Sequence, residues 1–87
     1  MADVRLPITL MPLFQGLPRR VEVSGQTVLQ AIDELDHRWP GVRDRLCDPG
    51  PALRSHINVY VDEERAGLDG PVRPESHIEV IAAISGG

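Results

Sequence analysis

The apolar residues of this chain switch from a spacing of two to a helical spacing and back again, and this switch most constrains the fold. Alternation over residues 4–10 and 20–24 predicts two strands that form a hairpin, each with one buried face. Apolar residues between 28 and 35 then follow a helical spacing and form one stripe. Alternation predicts further strands over residues 57–61 and 78–81, and a brief edge strand is expected between them over residues 65–68.

The predicted helix begins and ends at recognisable signals. Thr27 and Gln30 fit the capping-box pattern, in which a hydroxyl and an amide satisfy free N–H groups at the start of a helix. Pro40-Gly41 ends the helix, and residues 42–46 are expected to add one short turn.

This order of elements predicts a single α+β domain spanning residues 1–87. One helix with one apolar stripe can cover one face of a mixed sheet of four or five strands. A chain of 87 residues can bury one modest core, which must be aliphatic because aromatic residues make up only 3%. Asp-Pro-Gly-Pro at 48–51 predicts a loop, and residues 82–87 are expected to form a flexible tail.

The charge and hydropathy of the chain exclude several classes of function. Nine basic residues stand against thirteen acidic ones, and no basic stripe is visible, so nucleic-acid binding is not expected. All nine basic residues are arginines, so the chain cannot form lysine-linked chains with its own copies. We expect a cytoplasmic protein that does not enter a membrane, because neither a signal peptide nor an apolar run of ~20 residues is present.

No side-chain active site is predicted. His37, His56 and His77 are too far apart in sequence for a metal-ligand motif, and His56 and His77 are expected at opposite ends of the sheet. Cys47 is expected to be partly buried and inert, and Asp62-Glu63-Glu64 to be a solvated turn. A Gly-rich phosphate loop is missing as well, so we expect no catalytic side chain, no metal and no bound cofactor.

The end of the chain differs because its chemistry lies in the backbone. Gly86 and Gly87 have no Cβ, so they can pass through a channel too narrow for other residues. Ordering the backbone of such a residue costs about 1–2 kcal/mol of conformational free energy, so a partner must also bind other parts of the protein. The sequence therefore directs attention to the terminal carboxylate of Gly87.

Three segments together resemble a known family. The helix entry Gly25-Gln26-Thr27-Val28, the strand Asn58-Val59-Tyr60-Val61-Asp62 and the terminal Gly86-Gly87 are similar to the ubiquitin-like sulfur-carrier proteins, which have the β-grasp fold. These include the small subunit of molybdopterin synthase and the thiamin-pathway sulfur carrier. The segment Pro40-Gly41-Val42-Arg43-Asp44-Arg45-Leu46 most resembles the carrier of the actinobacterial cysteine pathway. The resemblance covers nearly the whole chain, and its most specific motif is the Gly-Gly end.

The resemblance implies a carrier rather than an enzyme. An E1-like enzyme would use ATP to transfer AMP to the Gly87 carboxylate, and a sulfur source would then leave a thiocarboxylate there. An acceptor enzyme would take the sulfur in a route to cysteine, molybdopterin, thiamin or a specialised metabolite. Ile84, Ser85 and Gly86 would run into the partner's active site ahead of Gly87. Ser85 stands where relatives often carry alanine.

A docking patch for these partners is expected from apolar residues that the pattern leaves outside the core. Tyr60 points away from the buried face of its strand, and Phe14 and Leu68 lie in predicted turns. We expect these three side chains to contact the activating or the accepting enzyme.

Two other functions stay open. A ubiquitin-like modifier would be activated in the same way but would end in an isopeptide bond to lysines of target proteins, so the product distinguishes it. A plain β-grasp interaction module would have no use for Gly86 and Gly87, so deleting them would change nothing.

Overall fold

The computed structural model describes residues 1–83, so Ile84, Ser85, Gly86 and Gly87 lie outside the described residues. The elements follow one another in this order: β1 (Ala2–Arg5), a 3-10 helix (Ile8–Leu13), β2 (Arg20–Val23), α1 (Val28–Arg38), α2 (Val42–Leu46), β3 (Cys47–Asp48), β4 (Ala52–Leu53), β5 (Ile57–Val61), β6 (Glu64–Ala66) and β7 (His77–Ala82).

Five of these strands form one mixed sheet in the order β2-β1-β7-β5-β6. Strands β1 and β7 run parallel in the middle of the sheet, and each of the other neighbouring pairs is antiparallel. Strands β3 and β4 pair separately as a short ribbon. This arrangement confirms the predicted α+β class and the β-grasp fold that the resemblance implies.

Helix α1 covers one face of the sheet and encloses the core against it. The apolar stripe of the helix is buried: Val28, Ala31, Ile32 and Leu35. Alternate residues of the sheet face this stripe and are buried too: Ala2, Val4, Val21, Val23, Ile57, Val59, Ile78 and Val80. Burial of one such Val, Leu or Ile side chain contributes about 1.5–3 kcal/mol. Among the described residues the fully buried apolar side chains are aliphatic or, at Cys47, a thiol, as the low aromatic content predicted.

The start of helix α1 is capped as predicted, with one difference. The Thr27 hydroxyl accepts a hydrogen bond from the Gln30 N–H (3.1 Å). The Gln30 amide oxygen reaches back one residue further than in the usual capping box and accepts from the Gln26 N–H (2.8 Å). The helix ends at Arg38, just before Trp39, and α2 supplies the expected short turn.

The first predicted strand, over residues 4–10, is wrong beyond the end of β1. The Leu6 N–H still donates to the Arg19 carbonyl (2.7 Å), which extends the pairing by one residue. Pro7 has no N–H, and with its φ of −65° it leads into the 3-10 helix, where the Leu10 N–H donates to the Pro7 carbonyl (3.0 Å). Leu10 is buried nonetheless. The alternating pattern therefore predicted the burial of Leu6 and Leu10, but neither the exposure of Ile8 nor the conformation.

The edge of the sheet also differs slightly from the prediction. Strand β6 spans Glu64–Ala66 rather than residues 65–68, because the hairpin from β5 turns in only two residues. Asp62 and Glu63 both have positive φ, 50° and 73°, which is the geometry of a type I′ turn. The ribbon of β3 and β4 was not predicted, since strands of two residues are too short for alternation to show.

Candidate docking site

The last strand, β7, lies in the middle of the sheet, and the chain leaves it at one end of the sheet. Ala82 pairs with Ile57 inside β7, so the expected tail begins after residue 82 and not at it. The Ala83 N–H donates to the His56 carbonyl (2.8 Å) and fixes the base of the tail against the start of β5. Gly87 is four residues further on, and four extended residues span at most ~14 Å. The expected threading residues Ile84, Ser85 and Gly86 lie outside the described residues.

The face of the sheet opposite α1 is open. Strand alternation places one row of side chains across this face, in the strand order Arg20, Arg5, Glu79, Tyr60 and Arg65. Basic side chains flank one acid and one aromatic ring in this row. Such a mixed surface offers both ion pairing and apolar contact to a partner.

A shallow groove of about 510 Å³ runs along the open face beside Tyr60, His77 and Ile81. Asp3 lies at its far end, where it contacts the His77 ring at 2.5 Å and pairs with Arg20 at 3.5 Å. Ile81 is 41% exposed and supplies the apolar wall nearest the tail. The groove therefore changes from ionic to apolar as it approaches the base of the tail.

Asp62 fixes the β5–β6 turn to the start of β7. Its carboxylate accepts hydrogen bonds from the His77 N–H (2.9 Å) and from the buried Ser76 hydroxyl (2.8 Å). These two bonds hold the pKa of the Asp62 carboxyl below its ordinary value. Asp62 is thus a structural carboxylate, which fits the prediction that the acidic turn is not a catalytic pair.

The three predicted docking residues do not form one patch. Tyr60 lies half-buried on the open face, whereas Phe14 and Leu68 are half-buried against the core on the helix side. The Phe14 ring lies where a Cβ on Gly41 would contact it, beyond the end of α1. The Leu68 carbonyl accepts from the Leu29 N–H (2.9 Å) at the start of the same helix. Apolar side chains in connections pack onto nearby core surface, so only Tyr60 remains in a position to join a patch on the open face.

Alternation alone could have identified the residues that share that face with Tyr60. Arg5, Glu79 and Ile81 occupy the outward-facing positions of predicted strands. The sequence did not supply the strand order that places them next to Tyr60. The missing information was the parallel pairing of β1 with β7.

The nucleophilic and metal-ligating residues do not assemble into a site in the described part of the chain. His56 precedes β5 and His77 begins β7, at opposite ends of the sheet as predicted. Burial raises the pKa of the Cys47 thiol; Asp33 and Asp48 act in the same direction, against Arg43 and Arg54. Residues 1–83 contain no group of three His, Cys, Asp or Glu residues that would hold a metal ion. They also contain no helix long and apolar enough to span a membrane.

Known proteins match this chain along nearly its whole length. Sulfur carrier protein CysO of Mycobacterium tuberculosis strain H37Rv is 29% identical over 90 residues, covering 97% of this chain and 96% of that protein. A chain in the crystal structure of the Amycolatopsis orientalis BexX/CysO complex is 32% identical, with a TM-score of 0.87 and complete coverage of both chains. The crystal structure of SAMP1 from Haloferax volcanii is 28% identical, with a TM-score of 0.77 over 99% of this chain and 98% of that one.

The fold and the shape of the sheet agree with these matches, since the compared structures share the β-grasp arrangement described above. The model of the ThiS family matches residues 9–87, which include all but the first residue of the 3-10 helix, both α-helices, strands β2 to β7 and the terminal glycines. The chain therefore belongs to the ThiS family.

Proposed function

We propose that this protein is a sulfur carrier whose Gly87 carboxylate is converted to a thiocarboxylate. The observation that carries the proposal is the terminal Gly-Gly on a chain that matches sulfur carrier CysO over 97% of its length. The sheet supports it as well, because β7 ends at the surface and is followed by Ala83, four residues before Gly87.

The chemistry explains why an activating partner is needed. A terminal carboxyl group has a pKa of about 3.3–3.7, so at pH 7 it is an anion that resists nucleophiles. In an E1-like enzyme, a Gly87 oxygen would attack the α-phosphorus of ATP and release pyrophosphate. Sulfide would then attack the carbonyl carbon of this acyl adenylate, and AMP would leave with one of the original oxygens. The thiocarboxylate that remains is the stronger nucleophile and can be passed to an acceptor.

The partners of this chemistry are two enzymes, one that adenylates Gly87 and one that accepts the sulfur. The chain supplies no catalytic side chain to either reaction in this proposal; it supplies a tail that reaches their active sites and a surface that docks. Cysteine, molybdopterin, thiamin and specialised-metabolite routes are the candidate uses of the sulfur.

A second candidate is a protein modifier. Structures of small archaeal modifier protein 1 from H. volcanii are similar to this chain, one of them at 27% identity and a TM-score of 0.74. Adenylation of Gly87 would be shared with the first candidate. The product would differ, because the acyl group would end in an isopeptide bond to a lysine of another protein.

Intact mass spectrometry tests the proposal. The protein is incubated with the E1-like enzyme of the same source, ATP and sulfide, and a gain equal to the exchange of one oxygen for sulfur is expected. Fragmentation should localise this gain to Gly87, and a variant lacking Gly86 and Gly87 should show none. Absence of the gain with an enzyme shown to activate its own carrier would reject the proposal, and conjugates to target lysines would favour the modifier.

A further inference from the structure

A second, smaller cavity lies directly at the base of the tail. It measures about 260 Å³, and five side chains that line it define what we call the tail-base rim: Leu13, Arg45, Arg54, His56 and Ala82. Ala82 is the last residue of β7, and the His56 carbonyl holds the next residue, Ala83. Whatever receives Gly87 must therefore approach within ~14 Å of this rim.

Exposed large apolar side chains lie mainly at this end of the sheet. Four large apolar side chains are exposed in the described residues, and three of them lie here: Ile8 (64%), Leu13 (49%) and Ile81 (41%). Ile8 and Leu13 belong to the 3-10 helix that follows β1. Because β1 runs parallel to β7, this helix lies at the same end of the sheet as the tail. These side chains offer a partner apolar contact at the end of the sheet from which the tail departs.

The charges of the sheet are also distributed unevenly between its two ends. Four arginines, Arg5, Arg19, Arg45 and Arg54, stand at the end from which the tail departs, where the acids are Asp44 on α2 and Asp48, which pairs with Arg54. Acidic residues gather at the other end, around the start of β7: Asp3, Glu22, Asp62, Glu63 and Glu75. The tail therefore leaves from a basic and apolar end of a protein whose net charge is −4.

The two arginines of the rim are held differently. Two guanidinium nitrogens of Arg54 donate to the Asp44 carbonyl (3.0 and 2.7 Å), and a third lies 3.3 Å from Asp48, so its position is fixed by its own chain. Arg45 lies on α2 with an exposed side chain. Arg54 thus shapes the rim, and Arg45 presents its charge to the solvent.

We propose that the tail-base rim docks on an acidic protein surface that borders the active-site channel of the activating enzyme. The proposal rests on the proposed function, because it assumes that Gly87 enters such a channel. The positive charge of Arg45 attracts carboxylates at the mouth of the channel and so steers the tail toward it. The exposed leucine and isoleucine side chains would pack against apolar residues beside those carboxylates.

Steady-state kinetics of ATP–pyrophosphate exchange test the proposal. The full chain and the E1-like enzyme of the same source are used, with saturating ATP. Arg45→Glu is expected to raise the KM for the carrier roughly tenfold and to leave kcat within about twofold, because a charge at the edge of an interface acts mainly on association. Arg45→Lys should stay near the wild-type KM. Arg73→Glu is the matched control, since it makes the same charge change at the acidic end of the sheet and should stay near wild type.

The outcomes separate this proposal from the proposed function. If the wild type supports no exchange, both fall together. If the wild type is activated and Arg45→Glu, with an unchanged melting temperature, keeps the wild-type KM, only the docking proposal fails. An equal effect of Arg73→Glu would attribute the change to net charge and overturn it. A second titration varies ATP at saturating carrier, and a raised KM for ATP there with an unchanged KM for the carrier would place Arg45 at the nucleotide phosphates and overturn it as well.

Discussion

Two glycines allow the chain to pass unusually close to the start of α1. A Cβ on Gly25 would lie 2.7 Å from the Ala31 nitrogen, and a Cβ on Gly70 would lie 2.8 Å from the Ala66 Cβ. The Gly70 carbonyl accepts from the Val28 N–H (3.0 Å), so this close approach satisfies a donor that the first turn of the helix leaves free. The glycine in the helix entry therefore has a packing reason that is visible only in the folded chain.

Gly25→Ala is expected to lower the free energy of unfolding by about 1–3 kcal/mol, because the new methyl group meets helix backbone that cannot move independently. Urea denaturation measures this change. Gly67→Ala is the matched control: its Cβ would come no closer than 3.4 Å to another atom, a side-chain oxygen, so its effect should stay within about 0.5 kcal/mol. Equal losses in the two variants would contradict the contact argument.

Asp62 links stability to acid pH. Its pKa is lower in the folded chain than in an unfolded one, where the hydrogen bonds from His77 and Ser76 are lost. The carboxylate therefore contributes stability above its unfolded pKa of about 3.9, and this contribution disappears as the pH falls through the lower folded value. Melting temperatures of the wild type and Asp62→Asn between pH 6 and pH 2 should converge on acidification. A constant difference across that range would contradict this assignment.

At the scale of elements, α1 depends on its first turn as much as on its buried stripe. The helix has eleven residues, which is too short to be stable alone in water. Thr27 and Gln30 satisfy donors at its start, and the Gly70 carbonyl satisfies another. The sheet supplies the apolar surface that holds the rest. Local capping thus sets where the helix begins, and packing decides that it persists.

Thr27→Ala is expected to destabilise the protein by about 1 kcal/mol, since the Gln30 N–H loses its acceptor at the helix start. Thermal unfolding followed by far-ultraviolet circular dichroism measures it. Thr27→Ser keeps the hydroxyl and should recover most of the loss. If serine were as destabilising as alanine, the methyl group of Thr27 rather than its hydroxyl would be responsible.

At the scale of the whole molecule, the packed core lies well before Gly87, the residue proposed to react. The buried apolar side chains in the described residues lie between Ala2 and Val80, and Gly87 is seven residues beyond the last of them. A carrier requires this separation, because its reactive end must enter a partner while its own fold stays intact. The open face and the tail-base rim are the surfaces proposed to contact a partner.

Deletion of Gly86 and Gly87 is expected to abolish the proposed sulfur transfer and to leave the fold intact. The melting temperature should stay within about 2–4 °C of the wild type, which corresponds to about 0.5 kcal/mol for a domain of this size. Calorimetry of the two proteins measures this. A large drop in melting temperature would mean that the terminal glycines contribute to the folded body and would remove the separation argued above.

Sequence by itself determined the elements whose signals are local. Alternation identified β2, β5 and β7, the helical spacing identified the stripe of α1, and Thr27 marked the start of that helix. The terminal glycines directed attention to the Gly87 carboxylate, and the resemblance to sulfur carriers implied the chemistry expected there. These features are readable because period and capping depend only on residues within a few positions of each other.

Tertiary structure alone decided what depends on contacts between distant segments. Pro7 turned an alternating run into a 3-10 helix that still buries Leu10, because the core surface beside β1 was open to it. Phe14 and Leu68 packed on the helix side, so Tyr60 is the one predicted docking residue that lies on the open face. Arg54 comes to the base of the tail because the antiparallel pairing of β5 with β7 places Ile57 beside Ala82, and Arg45 lines the same cavity; the parallel pairing of β1 with β7 brings Leu13 of the 3-10 helix there. No local spacing encodes that pairing, since it forms only when the whole sheet closes over one core.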